Sequence, residues 1–322
     1  MKKTTTISVA LCTYNGARFL GEQLASIAAQ TVRPDELVIC DDASTDDSVA
    51  IARRFAESAP FAVKVVEGAV NVGSHSNFAR CIAGCTGELI ALSDQDDVWL
   101  PHKIERLAGV LVDEPDAAFA FSDALRIDER GELLADCLWE ALRVTPVEQR
   151  LFETRRGFEA LLRRQIVTGA MLAFRASYRG LLLPIPEGWV HDAWIALLLS
   201  AVAWGVPLSE PLIKYRQHSQ QQIGEARRSV FQEYLRVRGR TSDDFQRAAR
   251  AVRAARDRLR ERAPNATAAI EALERKLAHA ERRVRIHRHG ALRGPLVLRE
   301  LFTGNYARYS PGWKAVAQDL FL

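Results

Sequence analysis

Apolar runs of strand length alternate with longer helical patterns through the first 125 residues of the chain. Ile7 to Thr13, Glu36 to Cys40, Ala62 to Val66, Glu88 to Ser93 and Ala117 to Ser122 read as strands. Ala17 to Gln30, Thr45 to Ser58, Ser76 to Gly84 and Pro101 to Val112 carry the helical period between them. Ser44 or Thr45 is placed to cap the second helix, and Pro101 suits the first turn of the fourth. Such alternation predicts an α/β fold with a mostly parallel central sheet covered by helices on both faces. Signal weakens from Arg126 to Arg164, apart from a hairpin turn at Asp128-Glu129-Arg130-Gly131. It returns as a strand at residues 166–174, "IVTGAMLAF", where Gly169 lets a backbone approach something closely. A helix over 191–205 and a strand from Pro207 to Tyr215 follow. Ala- and Arg-rich helices over 226–262 and 266–289, interrupted by Pro264, then fold back as a hairpin.

The 322 residues suffice for one large core or two modest domains, and we divide them at a catalytic unit, 1–224, and a helical C-terminal extension, 225–322. The five cysteines are odd in number and scattered, two of them inside apolar strands, which points to the cytoplasm and to core packing. No run is long enough to span a bilayer, and the N-terminus lacks the pattern of a signal peptide. Charge is distributed unevenly. Residues 225–290 hold 18 Lys and Arg against 9 Asp and Glu, whereas residues 1–224 carry a net −7. An acidic N-terminal unit that binds an anion requires a metal.

The polar clusters fall where an open parallel sheet collects ligands, beyond the carboxyl ends of its strands. They are Thr13-Tyr14-Asn15-Gly16 after the first strand, Asp42 in "DDAS" after the second, and "SDQDD" at 93–97 after the fourth. Adjacent carboxylates beside a buried strand are unfavourable without a cation. A divalent ion held by one or two carboxylates and completed by phosphate oxygens supplies it, which is the usual setting of Mg²⁺ or Mn²⁺ on a nucleotide diphosphate. Asp94 and Asp96 alternate along the chain and so share one side, one for the metal and the other for a ribose hydroxyl. Asp97 faces away, to orient the loop or touch the sugar. Asp42 is placed to accept the imide N–H of a uracil or thymine ring, and Thr13, Tyr14 and Asn15 to line the base pocket.

"ISVALCTYNGARFLGEQLASIAAQT", "ELVICDDASTDDS" and "GELIALSDQDDVWLPHKI", with "HDAW", "YRQH" and the closing "GNYARYSPGWKAVAQDLFL", resemble family 2 glycosyltransferases of the GT-A fold. The likeness is to the bacterial rhamnosyltransferase-like branch. The resemblance implies a contact of Asp42 with the base and service of Asp94-Gln95-Asp96 to metal and diphosphate. It implies Asp192 as catalytic base, with His191 in place of the first member of the family's Glu-Asp pair. His218 would complete the metal shell with Asp96, and Arg216 would pair a phosphate. The Q-x-x-R-W motif of processive relatives is absent, which favours transfer of a single sugar.

The expected activity is metal-dependent, inverting transfer of one sugar, such as rhamnose, from a UDP- or dTDP-linked donor to a surface-glycan or lipid-linked acceptor. A sugar-nucleotide pyrophosphorylase also joins an α/β sheet to carboxylates and Mg²⁺, but "CTYNGARFL" lacks the glycine density of its phosphate loop. A non-catalytic nucleotide-sugar-binding protein would not need Asp94, Asp96 and Asp192 together. The arginines of the C-terminal helices read either as a solvated face or as a peripheral contact for anionic lipid. Nucleic acid is disfavoured, because no aromatics are interleaved among them.

Overall fold

The computed structural model describes residues 5–218, 242–288 and 293–321. Nine strands form one mixed sheet: β1 (Ile7–Thr13), β2 (Glu36–Asp41), β3 (Ala62–Glu67), β4 (Leu89–Ser93), β5 (Val98–Trp99), β6 (Ala117–Ile127), β7 (Leu133–Cys137), β8 (Leu172–Arg175) and β9 (Trp204–Arg216). The spatial order is β3-β2-β1-β4-β8-β6-β9-β5, with β7 on the flank of β6. The first four strands pair in parallel, as their continuous apolar runs predict. Beyond β4 the sheet turns mixed: β8 is antiparallel to both neighbours, and β9 returns parallel to β6.

Alternating side chains of these strands feed two layers. Ala10, Cys12, Val38, Cys40, Ile90 and Leu92 point to the face covered by α3 (Ser74–Gly84) and α5 (His191–Val202). Val9, Leu11, Leu37, Ile39 and Ala91 point to the face covered by α1 (Ala17–Ala28) and α4 (Lys103–Asp113). Helix α2 (Ser48–Ser58) lies toward the β3 edge. The cysteines in the first layer are thiols buried as small core residues, and burial pushes Cys12, Cys81 and Cys85 up from the usual thiol range.

Three local expectations are corrected. Helix α2 starts at Ser48, because the Ser44 hydroxyl donates to Asp41 Oδ1 at 2.5 Å and the Thr45 N–H donates to Asn15 Oδ1 at 2.8 Å; neither caps the helix. Helix α4 starts at Lys103, with Pro101 in the preceding turn. The segment "IVTGAMLAF" is a strand only from Leu172, since a 3₁₀ turn at Gly169–Met171 carries the chain around side chains of α5. The hairpin turn forms as expected between β6 and β7, with Gly131 at φ +87° and Asp128 Oδ1 accepting the N–H groups of Arg130 and Glu132.

The helical hairpin is also present, as α6 (Ser242–Arg262) and α7 (Thr267–Arg288); residues 226–241 of its expected first arm lie outside the described residues. Val252, Ala255, Leu259, Leu273 and Leu277 join the same apolar layer as Leu181 and Trp194. Arg258 fixes this contact by donating to the carbonyls of Leu181 and Pro184 at 2.9 and 2.8 Å. Three further helices, α8 (Arg293–Phe302), α9 (Asn305–Tyr309) and α10 (Trp313–Phe321), close a small cap around Ile286, Val297, Tyr306 and Val316. Among the described residues no helix is long and apolar enough to cross a membrane.

Candidate active site

The loops after β1, β2 and β4 meet at one rim and are stitched by side chains from the polar motifs. Gln95 Oε1 accepts from Thr13 Oγ1 and from the Tyr14 N–H, each at 2.8 Å, while Gln95 Nε2 donates to the Tyr14 carbonyl at 3.1 Å. A Cβ on Gly16 would stand 2.1 Å from Gln95 Oε1, so a larger residue there would displace the Gln95 side chain from these bonds. Asn15, at φ +48°, donates its N–H to Ser44 Oγ at 2.9 Å, and Asp46 accepts the Ala17 N–H at 3.0 Å. Asp42 is buried, its two oxygens accepting the N–H groups of Val72 and Gly73 at 2.9 Å each. Those bonds use two of the roughly four acceptor positions of a carboxylate, leaving capacity toward a base.

The acidic loop 94–97 is electrostatically loaded. Burial pushes the Asp94 carboxyl up to about 7, and the negative charges of Asp96 and Asp192 add to the effect. Asp97 is fully buried and raised well above its ordinary value, first by burial and then by Asp96 and Asp94. Its Oδ1 accepts the Arg216 N–H at 3.0 Å, and its Oδ2 has no hydrogen-bond partner among the described residues. The cation that faces this group from inside the fold is Lys103. Buried against the Trp99 ring at 3.4 Å, it donates from Nζ to the Ala170 carbonyl at 2.6 Å, and burial drives its pKa well down. Trp99 and Lys103 are four residues apart, the one trace of this contact in the sequence.

Arg216 sits behind the loop. Its Nε donates to the Asp96 carbonyl at 2.8 Å, an Nη meets Glu22 Oε2 at 2.5 Å, and the guanidinium lies over the Phe19 ring. It is 2% exposed and braces the acidic loop from behind. On the open side, His218 Nε2 lies 2.8 Å from Asp96 Oδ2.

Opposite this loop stands the start of α5. Asp192 Oδ2 accepts the Gly169 N–H at 2.9 Å, which fixes the carboxylate in the first helical turn. His191 stacks on Phe78 with ring centroids 3.6 Å apart, and burial lowers its pKa to about 3, so it is neutral. Among the described residues neither of its ring nitrogens has a hydrogen-bond partner. A Cβ on Gly169 would meet His191 Nε2 at 2.5 Å, so the close approach expected of this glycine is to His191 and Asp192.

These elements enclose a cavity of about 950 Å³. Thr13, Tyr14, Asn15, Asp42, Asp94, Asp96, Asp192 and His218 all line it; Asp97 and Arg216 do not. Among the described residues no group of three His, Cys, Asp or Glu forms a ready metal cage. The donors nevertheless suit a hard divalent ion that takes one carboxylate and one imidazole from the protein, with substrate oxygens and water completing its shell. A cation at this spot would offset the burial and the repulsion from Asp96 and Asp192 that raise Asp94.

This sheet, with its rim cavity and acidic loop, is the GT-A glycosyltransferase fold. The mannosyltransferase PcManGT of Pyrobaculum calidifontis, solved with GDP-Man and Mn²⁺, superposes with a TM-score of 0.54 at 18% identity, over 99% of this chain and 85% of that one. TarS 1–349 of S. aureus gives 0.52 at 16% identity, over 86% and 87%. The model of "Glycosyl transferase family 2" matches residues 8–180, and the chain belongs to that family. Among curated relatives, an uncharacterized glycosyltransferase of Nostoc sp. is 42% identical over 104 residues, 32% of each chain. The dTDP-rhamnosyl transferase RfbG of Shigella flexneri is 35% identical over 106 residues, 32% of this chain and 37% of that one. The matched segments span about a third of the length of these relatives.

Proposed function

We propose that this protein is an inverting, metal-dependent glycosyltransferase that moves one sugar from a UDP- or dTDP-linked donor to a surface-glycan or lipid-linked acceptor at the cytoplasmic side of the membrane. The observation that carries this reading is the convergence of Asp94, Asp96 and Asp192, from two distant chain segments, on one 950 Å³ cavity. Rhamnose is favoured as the sugar by the resemblance to RfbG. Residues 1–224 form the catalytic unit in this reading and 225–322 its helical extension.

Asp42 and the Thr13-Tyr14-Asn15 loop bind the base at one end of the cavity, and Asp94 accepts from the ribose. Asp96 and His218 would hold Mn²⁺ or Mg²⁺, and the ion would supply positive charge to offset that building on the departing diphosphate. Asp192, whose Oδ2 accepts the Gly169 N–H and whose Oδ1 accepts the Ala193 N–H, takes the proton of the acceptor hydroxyl as that hydroxyl attacks the anomeric carbon. Attack comes from the face opposite the diphosphate, so the configuration inverts. His191, neutral and fixed against Phe78, keeps positive charge away from the base.

The test is a panel of nucleotide sugars scored for slow hydrolysis and transfer, with and without Mn²⁺. Asp192→Asn keeps one of the two acceptors that the Gly169 and Ala193 N–H groups use and is expected to lower turnover about 10²–10⁴-fold with nucleotide affinity unchanged. Asp96→Ala is expected to remove the Mn²⁺-dependent part of nucleotide binding in calorimetry. Undiminished turnover in the first variant, or affinity indifferent to chelator, sinks the corresponding assignment.

A further inference from the structure

The outer surface of the C-terminal cap carries charge of one sign. Residues 282–321 contain two carboxylates, Glu300 and Asp319, and each is 0% exposed. Arg285, Arg288, Arg299, Arg308 and Lys314 are exposed, and no carboxylate among the described residues pairs with them. In the neighbouring hairpin, by contrast, Arg247, Arg253, Arg256 and Arg260 each face an acid.

Among these cations stand large apolar side chains turned to solvent. Phe302 is 86% exposed, Trp313 75% and Leu298 53%. Leu298 and Phe302 are one helical turn apart on α8, and Trp313, Ala317 and Leu320 follow one stripe of α10. Each helix already has an inward apolar face, Val297 on α8 and Ala315 with Val316 on α10, and the outward stripes lie outside that core.

We propose that this cap docks on a lipid bilayer rich in anionic headgroups, with Phe302 and Trp313 entering the headgroup region and the surrounding Arg and Lys side chains reaching lipid phosphates. Exposed aromatics on a surface of exposed long cations, with Glu300 and Asp319 turned inward, are the pattern of an interfacial surface. Charge complementarity selects the occupant. A second copy of the chain would oppose one cationic face to another in any two-fold pairing. The proposal does not depend on the glycosyltransfer reading, since docking is scored without turnover.

The experiment is flotation of the full chain with phosphatidylcholine vesicles, with and without phosphatidylglycerol. Binding is expected only to the anionic vesicles and is expected to fall at high salt. The triple variant Arg299→Glu, Arg308→Glu, Lys314→Glu is expected to weaken partitioning on the order of a hundredfold. Phe302→Ser with Trp313→Ser is expected to weaken it on the order of tenfold or more. None of the five positions lines the cavity, so nucleotide binding and the thermal melt should match wild type, which separates lost docking from misfolding. Equal flotation of wild type and both variants overturns the proposal. So does a dimer in light scattering that the variants dissociate without any vesicle binding, or retention on nucleic acid in place of vesicles.

Discussion

The cap and the sheet rim both bury carboxylates, and they treat them in opposite ways. In the cap, burial works against ionisation of Asp319, but His287, Arg283 and Tyr306 hydrogen-bond to it and hold its carboxyl below the usual range. Glu300 is held low in the same way by His279, Asn305 and Arg282. At the rim, Asp94 and Asp97 are raised, because burial is compounded by like charges and Lys103 compensates only in part. One set of charges is completed by the fold and serves it. The other is left incomplete by the fold, which is the condition expected of a site that a cation and a substrate complete.

The largest effect that sharpens this contrast is expected from Asp319→Ala. The substitution strands Arg283 and His287 and takes the acceptor from Tyr306, and breaking a buried pair from one side costs about 3–5 kcal/mol. Hydrogen exchange should speed up across α8 to α10 before it does in β1 to β4. Wild-type protection in those helices would show that the network is not what holds the cap.

Asp94→Asn should act in the reverse direction. Raised from 3.8 to about 7, the Asp94 carboxyl disfavours the folded state wherever it is ionised, fully above pH 7 and not at all below its unfolded value. Water in the cavity screens this, so the expected gain in ligand-free stability is about 1–3 kcal/mol at pH 8, fading toward pH 4. Nucleotide-sugar binding should fall at the same time. A variant that melts below wild type at pH 8 would break the comparison.

The parallel half of the sheet and the rim motifs were legible because each depends on residues close in sequence. Buried strands read as continuous apolar runs, and the turn residues follow them directly. The 3₁₀ turn at Gly169 was not legible, since the side chains that require it, His191 and Asp192, lie more than twenty residues away. The brace of Arg216 was not legible for a similar reason, since its partner Glu22 lies 194 positions away. In the weak stretch 126–164, Thr145 and Glu148 form a capping box whose T-x-x-E spacing is a local signal. Lys103, by contrast, reads as an ordinary residue of a helix start, and only the fold buries it beneath Asp97.

The smallest expected effect follows from the sign of the pH response. His279 is buried between Glu300 and Ser310, and burial lowers its pKa although Glu300 pulls it upward. The bonding pattern is that of a neutral ring whose Nδ1–H donates to Glu300 while Ser310 Oγ donates to Nε2. A depressed imidazole binds its proton more readily in the unfolded chain, so as pH falls below about 6.5 the cap loses stability, by about 1.4 kcal/mol for each unit of depression. Glu300 and Asp319, lowered in the fold, add their loss only near and below about pH 4. Asp94 changes stability the other way through the same interval, gaining a proton in the folded state first. Between pH 7 and 5, protection of α8 to α10 against hydrogen exchange should therefore fall while that of the 93–99 loop rises, once intrinsic exchange rates are corrected. Parallel changes in the two regions would mean that their carboxylates are not set apart as the burial and bonding imply.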